Sequence, residues 1–231
     1  MNKKICLIWD FDNTLAYRDG MWTRSLCNVL ENNNILNYNQ SLISDHFKTG
    51  LPWHRSDLLH KDYFNGLEWW DFVFIHVKNA FRKMGINDEL RLSGLAEEFR
   101  EEYLRKEAWF LYEDTVRNLE KSKNLGYANI ILSNHTPELP ELVRYLNIES
   151  YFLTVISSAL IGADKPNPLI FNEIYRYGCF DKYYMIGDNY EADVIGAKNA
   201  GFEAILVRKS NDLSYGFYSS DLDEIWAYIG I

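Results

Sequence analysis

Short, continuous apolar runs alternate with amphipathic stretches along this chain of 231 residues. The runs are rich in β-branched and aromatic residues and lack apolar–polar alternation, which is typical of strands buried on both faces. Strands that alternate with helices predict a parallel, Rossmann-like α/β sheet flanked by helices. The predicted strands lie at residues 5–9, 130–132, 154–156, 183–186 and 204–207.

The stretches between the later strands have helical spacing. At 138–147, the apolar residues Leu139, Leu142, Val143 and Leu146 recur at intervals that place them on one helix face. Related patterns predict helices at 113–125, 168–177 and 190–200, the last of which ends at Gly201. These helices supply the crossovers between parallel strands.

The interval between the first two predicted strands is about 120 residues, far more than one crossover helix needs. It contains further helical patterns around Trp22–Leu30, 42–47, 69–84 and 90–105. We therefore predict a helical cap at 17–107, inserted into an α/β core formed by 1–16 and 108–231. The helix at 69–84 is apolar on nearly every side, so both a monomer and a homodimer remain open.

Charge and cysteine content narrow the class of protein. The chain has 24 basic and 33 acidic residues and a net charge of −9, which argues against a general nucleic-acid binder. Three dispersed cysteines indicate neither a disulfide framework nor a zinc site. No secretory signal or membrane-spanning run is visible, so we expect a cytoplasmic protein that does not bind membranes.

Polar residues follow four of the predicted strands, at the edge where open parallel sheets bind ligands. Carboxylates gathered there would repel one another unless a cation lay among them. Asp10 and Asp188 could hold a divalent ion, and oxygen ligands favour Mg²⁺ over zinc. A lysine and a hydroxyl nearby suit a phosphoryl group, which Asp10 could attack while Asp12 moves the proton. The segments concerned are Asp10-Phe11-Asp12-Asn13-Thr14, Ser133-Asn134, Asp164-Lys165-Pro166 and Gly187-Asp188 with Asp193.

These segments resemble, in order, the four motifs of the haloacid dehalogenase superfamily, and the insert resembles a helical cap of that family. The resemblance implies that Asp10 is a nucleophile forming an aspartyl-phosphate and that Asp12 is the general acid/base. It implies that Ser133 bonds the phosphoryl group and that Lys165 neutralises charge. The implied Mg²⁺ ligands are Asp10, Asp188 and the main-chain carbonyl of Asp12.

The resemblance also implies supporting roles. Thr14 would support the first loop, and Asn134 would face the phosphate. Asp193 would orient Lys165 or a metal-bound water, although an acidic residue in a first helical turn also explains it. His135 is expected to be a hydrogen-bonding or exposed residue and not a catalytic one.

Asp12 separates the reactions that the resemblance allows. The family's dehalogenases lack this second aspartate, because a halide needs no proton. We therefore predict a Mg²⁺-dependent phosphatase acting on a small phosphorylated metabolite. The alternatives are a phosphomutase acting on a sugar phosphate, a 2-haloacid dehalogenase and a noncatalytic binding protein, and the substrate stays open among nucleotides, sugar phosphates and phosphoglycolate.

Three cap residues are candidate substrate contacts. Trp53 and Arg55 lie in the turn-rich segment 49–55, which either reaches over the active site or forms an ordinary corner of the cap. Arg18, just beyond the first motif, either touches substrate or pairs locally.

Overall fold

A computed structural model describes residues 3–60 and 68–230 of the chain. Within these residues, a parallel sheet has six strands in the order β5-β4-β1-β6-β7-β8. The predicted α/β class is confirmed, and all five predicted strands are present. The strands are β1 (Ile5–Trp9), β4 (Ala128–Ser133), β5 (Thr154–Ser157), β6 (Lys182–Gly187), β7 (Glu203–Val207) and β8 (Tyr218–Ser219).

β1 is buried along its whole length, as its unbroken apolar run predicts. Leu7 and Trp9 pack into an apolar cluster on one face of the sheet, and Cys6 and Ile8 pack into a second cluster on the other. β1 pairs with β4 on one side and β6 on the other, so the strands that follow it are added to the sheet in opposite directions on its two sides. Ligands of open α/β sheets bind in the crevice at such a switch point.

The helices of the insert pack on one another above the carboxyl edge of β1. Their apolar residues belong to the same continuous cluster as one face of the sheet, so cap and core share an interior. The cap range of 17–107 remains an interpretation, and its residues 61–67, like residues 1–2 and 231 of the core, lie outside the described residues. The helices are α1 (Met21–Asn32), α2 (Gln40–Phe47), α3 (Trp69–Lys83) and α4 (Glu89–Tyr103).

A small antiparallel ladder joins the insert to the core, a feature that sequence patterns did not predict. β2 (Ala16–Tyr17) pairs with β3 (Phe110–Leu111) where the chain leaves the core and where it returns. Strands of two residues are too short to show a hydrophobic period, and the same limit hid β8.

The core helices follow the predicted order, with shorter α-helical parts. The predicted helix at 168–177 is α8 followed by a tighter 3₁₀ turn at Glu173–Tyr177. The predicted helix at 190–200 begins with wide π turns at Tyr190–Ile195 and continues as α9. No described helix is both long and apolar enough to cross a membrane. The core helices are α5 (Thr115–Asn124), α6 (Leu139–Tyr145), α7 (Ser158–Ile161), α8 (Pro168–Asn172), α9 (Gly196–Asn199) and α10 (Trp226–Ile229).

Candidate active site

The carboxylate of Asp10 receives two hydrogen bonds from distant parts of the chain. Asp10 directly follows β1, and its own N–H donates to the carbonyl of Ile186 on β6, which holds it beside the neighbouring strand. Ser133 Oγ, at the end of β4, donates to Asp10 Oδ1 at 2.7 Å, and Lys165 Nζ donates to the same atom at 2.8 Å. Since Oδ1 accepts both hydrogen bonds, neither of them occupies Oδ2. An oxygen in this position is available for attack on an electrophile.

Lys165 is buried, and its position depends on two other residues. Its ammonium also donates to Asp193 Oδ1 at 2.6 Å. Its main chain is held by the Asn134 amide, which accepts from Lys165 N–H at 2.7 Å and donates to Lys165 C=O at 2.9 Å. Burial lowers the pKa of Lys165, but the charges of Asp10 and Asp193 outweigh burial and raise it, so the lysine stays charged.

Asp12 lies two residues beyond Asp10, in a half-buried position. Burial, and then the charges of Asp10 and Asp188, raise the pKa of Asp12 well above its usual range. Asp12 Oδ1 lies 3.6 Å from Nε2 of the buried His135, and neither atom has a hydrogen-bond partner. Burial lowers the pKa of His135 to about 4, so this imidazole is neutral at pH 7.

Acidic oxygens converge at the carboxyl ends of β1 and β6. One oxygen each from Asp10, Asp188 and Asp193 lies within 4.8 Å of the others. Burial, and then the charge of Asp10, raise the pKa of Asp188 to about 6. Both Asp193 oxygens already accept hydrogen bonds, Oδ1 from Lys165 and Oδ2 from the N–H of Asn189 at 2.9 Å. Asp193 can approach so closely because Gly187 has no side chain: a Cβ there would lie 2.2 Å from Asp193 Oδ2.

A cavity of about 240 Å³ opens over these carboxylates. The core side contributes polar and charged groups, and the cap side contributes apolar and aromatic ones. The core lining is Asp10, Asp12, Asn13, Ser133, Asn134, Lys165, Asp188, Asn189, Ala192, Asp193 and Lys209, and the cap lining is Met21, Trp22, Phe47, Leu51 and Trp53.

A family model described as haloacid dehalogenase-like hydrolase matches residues 6–201, most of the chain. The chain belongs to this family. The predicted resemblance is therefore confirmed, and the four motifs that carried it meet around one cavity in this family member.

Individual relatives agree with this assignment. The chain is 26% identical over 148 residues to the mouse haloacid dehalogenase-like hydrolase domain-containing protein 3, which covers 63% of this chain and 58% of the relative. It is 36% identical over 100 residues to a glyceraldehyde 3-phosphate phosphatase of Methanothermobacter thermautotrophicus, covering 42% of this chain and 44% of the relative. The chain thus spans less than two thirds of the length of these curated relatives.

A solved structure supports the fold over the whole chain. The HAD-hydrolase YfnB of Bacillus subtilis, determined with bound magnesium, superposes with a TM-score of 0.78 at 16% identity and covers 100% of both chains. At this level of identity the likeness concerns the fold and not the reaction.

Two residues expected to contact substrate do not line the cavity. Arg18 is buried in the cap, where it pairs with Glu102 at 2.8 Å and donates to Ser25. Arg55 is exposed and pairs with Asp57. In this structure each arginine has an acidic partner outside the cavity lining, so a substrate contact by either one stays a prediction.

The other expected residues occupy more informative positions. Trp53 lines the cavity from the 3₁₀ turn Pro52–Arg55, so the segment 49–55 does reach over the site. The Asn134 amide is bonded to the lysine loop and Asn134 also lines the cavity, so its contact with the phosphate stays a prediction. Thr14 is buried, and its carbonyl accepts from Arg208 Nε at 2.8 Å.

Sequence reasoning missed Lys209. Its ammonium lies 3.5 Å from Asp188 Oδ2 at the rim of the cavity. Arg208 holds this loop by pairing with Asp114 at 2.6 Å and by stacking on the Tyr112 ring. Lys209 comes two residues after β7, so the rule that ligands bind at strand carboxyl ends could have found it.

Proposed function

We propose that this protein hydrolyses a small phosphate monoester through an aspartyl-phosphate on Asp10. The observation that carries the proposal is the pair of bonds on Asp10 Oδ1 from Ser133 and Lys165, with Asp12 two residues on. A carboxylate held by a hydroxyl and a cation, beside a second carboxyl group, suits nucleophilic attack coupled to proton transfer.

In the first step, an Asp10 oxygen attacks phosphorus as the ester P–O bond breaks, and Asp12 gives its proton to the leaving oxygen. Lys165 offsets the charge that gathers on the phosphoryl oxygens, and Ser133 donates a hydrogen bond to one of them. In the second step, Asp12 takes a proton from water as that water attacks phosphorus. Inorganic phosphate leaves and the Asp10 carboxylate is restored.

The donor set fits Mg²⁺. Four carboxylates face the cavity, and among the described lining residues the balancing cations are Lys165 and Lys209. Burial, and then the charge of Asp10, raise the pKa of Asp188, and a cation beside it would offset both effects. Asp10, Asp188 and the main-chain carbonyl of Asp12 would hold the ion, and Asp193 would support Lys165. When bound, Mg²⁺ supplies positive charge to the phosphoryl oxygens.

The decisive experiment measures inorganic phosphate released from a panel of small phosphate esters, with Mg²⁺ and with a chelator. We expect release that needs the metal and is lost in Asp10→Asn, while the circular dichroism spectrum stays that of the folded wild type. The exposed Asp45→Asn is the matched control and should keep wild-type rates.

Other outcomes separate the competing functions. Retained activity in Asp10→Asn would contradict the mechanism. Conversion of one sugar phosphate into an isomer without phosphate release would identify a phosphomutase. Halide release from a 2-haloacid would identify a dehalogenase, which Asp12 disfavours. Absence of turnover in a folded protein would indicate a binding protein.

The biological setting is part of the same proposal. A net charge of −9 disfavours nucleic-acid partners, and the small cavity favours a phosphorylated metabolite. A cytoplasmic location and a monomeric or homodimeric state remain predictions, which cell fractionation and light scattering can test.

A further inference from the structure

The two ends of the cavity differ in chemistry. The core end holds the carboxylates, Lys165 and Lys209, and the cap end is formed by Met21, Trp22, Phe47, Leu51 and Trp53. Within residues 3–60 and 68–230, no cap side chain that lines the cavity carries a charge. The organic group of a phosphate ester would therefore contact an apolar, aromatic surface.

Four arginines of the described cap form ion pairs away from the cavity lining. Arg18 pairs with Glu102 at 2.8 Å, and Arg100 pairs with Glu138 at 3.0 Å while it lies over the Trp70 ring. Arg24 and Arg55 form exposed ion pairs away from the cavity lining. Among the cap residues described at the cavity, a second anionic group on the substrate would thus meet no counter-charge. Burying a charge without a partner is strongly unfavourable.

Lys209 does not change this conclusion. Its ammonium lies 3.5 Å from Asp188, which places it beside the phosphoryl end of the cavity. The cation is exposed and sits on the loop after β7, on the core side. It can meet a phosphoryl oxygen, because it lies beside Asp188 and not among the cap residues of the lining.

Trp22 and Trp53 form the aromatic part of the cap end. Their ring centroids are 5.7 Å apart at an angle of 59°. Trp22 also stacks on Tyr103, with centroids 4.4 Å apart. The volume of about 240 Å³ is below the range of about 300–1,000 Å³ for drug-sized ligands, so the group is small.

We infer that the substrate is the phosphate monoester of a small, uncharged, predominantly apolar alcohol or phenol, and that Trp22 and Trp53 select it. This inference rests on the proposed phosphatase function. It disfavours esters with a second anion, such as phosphoglycolate, because the cap residues described at the cavity, Met21, Trp22, Phe47, Leu51 and Trp53, carry no cationic side chain.

The test compares two esters that differ by one charge at equal size. The wild-type protein is assayed with Mg²⁺ on 4-carbamoylphenyl phosphate and 4-carboxyphenyl phosphate. We expect kcat/KM to be at least tenfold higher for the neutral carbamoyl ester. Equal rates, or a preference for the carboxylate, would overturn the inference, and phosphate release that Asp10→Asn abolishes would leave the phosphatase proposal standing.

A charge placed at the cap end should change the preference. Trp53→Arg is expected to reduce the ratio at least fivefold, because the new guanidinium can pair with the carboxylate. Leu58→Arg adds the same charge five residues further along the chain, at an exposed position that does not line the cavity, and should keep the wild-type ratio. Equal effects of both variants would overturn the assignment to Trp53, and failure of both esters would overturn the phosphatase proposal together with the inference.

Discussion

Lys165 Nζ lies 2.8 Å from Asp10 Oδ1, although the two residues are 155 positions apart in the chain. The same ammonium lies 2.6 Å from Asp193 Oδ1. All three side chains are buried, so each bond joins the ammonium to a carboxyl group away from bulk water. Such charge-assisted bonds are stronger than bonds between neutral groups, and loss of the cation leaves two carboxylates without their partner.

Lys165→Met should reduce kcat by roughly 10²–10³, the range seen when one charge-stabilising donor is removed from an active site. It should also reduce the free energy of unfolding at pH 7 by about 3–5 kcal/mol, the usual result of breaking a buried ion pair from one side. Steady-state kinetics and urea unfolding measure the two effects. The exposed Lys198→Met is the control. A kcat of Lys165→Met within threefold of the wild-type value would refute the role assigned to Lys165.

Asn134→Ala should lower activity by displacing Lys165. The substitution removes two hydrogen bonds to the Lys165 main chain, worth about 1–3 kcal/mol of unfolding free energy together. We expect kcat to fall while KM changes little, because the cation is displaced but the cap is unaltered. Asn87→Ala, which loses one exposed bond to Gly85, should leave kcat unchanged. An unchanged kcat in Asn134→Ala would show that the lysine loop holds its position alone.

Gly50→Ala should destabilise the cap more than Gly85→Ala does. Both glycines have a left-handed backbone, with φ of +85° and +86°, so an alanine at either costs about 1–2 kcal/mol. A Cβ at Gly50 would also lie 2.3 Å from the His76 ring, whereas a Cβ at Gly85 meets nothing within 4 Å. Urea unfolding of both variants isolates the ring contact. His76→Ala should remove the excess in the double variant, and equal losses in the two single variants would contradict the packing.

Acid should weaken the cap through His76. Burial, and then the charge of His46, lower the pKa of His76 to about 4. A histidine in the unfolded chain has a pKa of about 6.5, so on acidification the unfolded state takes up this proton before the folded state does. The contribution of His76 to the free energy of unfolding is therefore complete above about pH 6.5 and falls as the pH drops toward 4. The His46 ring stacks on His76 with centroids 4.0 Å apart, and burial lowers its pKa too.

Melting temperatures of the wild type and His76→Gln between pH 7.5 and 4 test this expectation. The difference in melting temperature between the wild type and His76→Gln should become smaller as the pH falls, because the glutamine cannot take a proton. Other groups that titrate in this range, such as His135, are common to both proteins and cancel in the difference. Parallel curves would show that His76 is not the group concerned.

Much of the core fold followed from local pattern. An unbroken apolar run such as Ile5–Trp9 needs burial on both faces, and helical spacing between runs requires parallel strands, so the sheet and its functional edge could be predicted. β8 and the ladder between β2 and β3 were not predictable, because two residues carry no period. The wide turns at Tyr190–Ile195 likewise have the same apolar spacing as an ordinary helix.

The sequence by itself determined which chemical groups meet at the site. Asp10, Ser133 and Asp188 lie at the ends of neighbouring buried strands, so chain topology brings them together independently of the contacts that surface side chains make. Only the tertiary structure decided which side chains line the cap end of the cavity. Arg18 and Arg55 are each close in sequence to cavity residues, but long cationic side chains take the nearest carboxylate in space, here Glu102 and Asp57. An apolar helix stripe, in turn, does not reveal which of its residues face a partner helix and which, like Trp22 and Phe47, face a cavity.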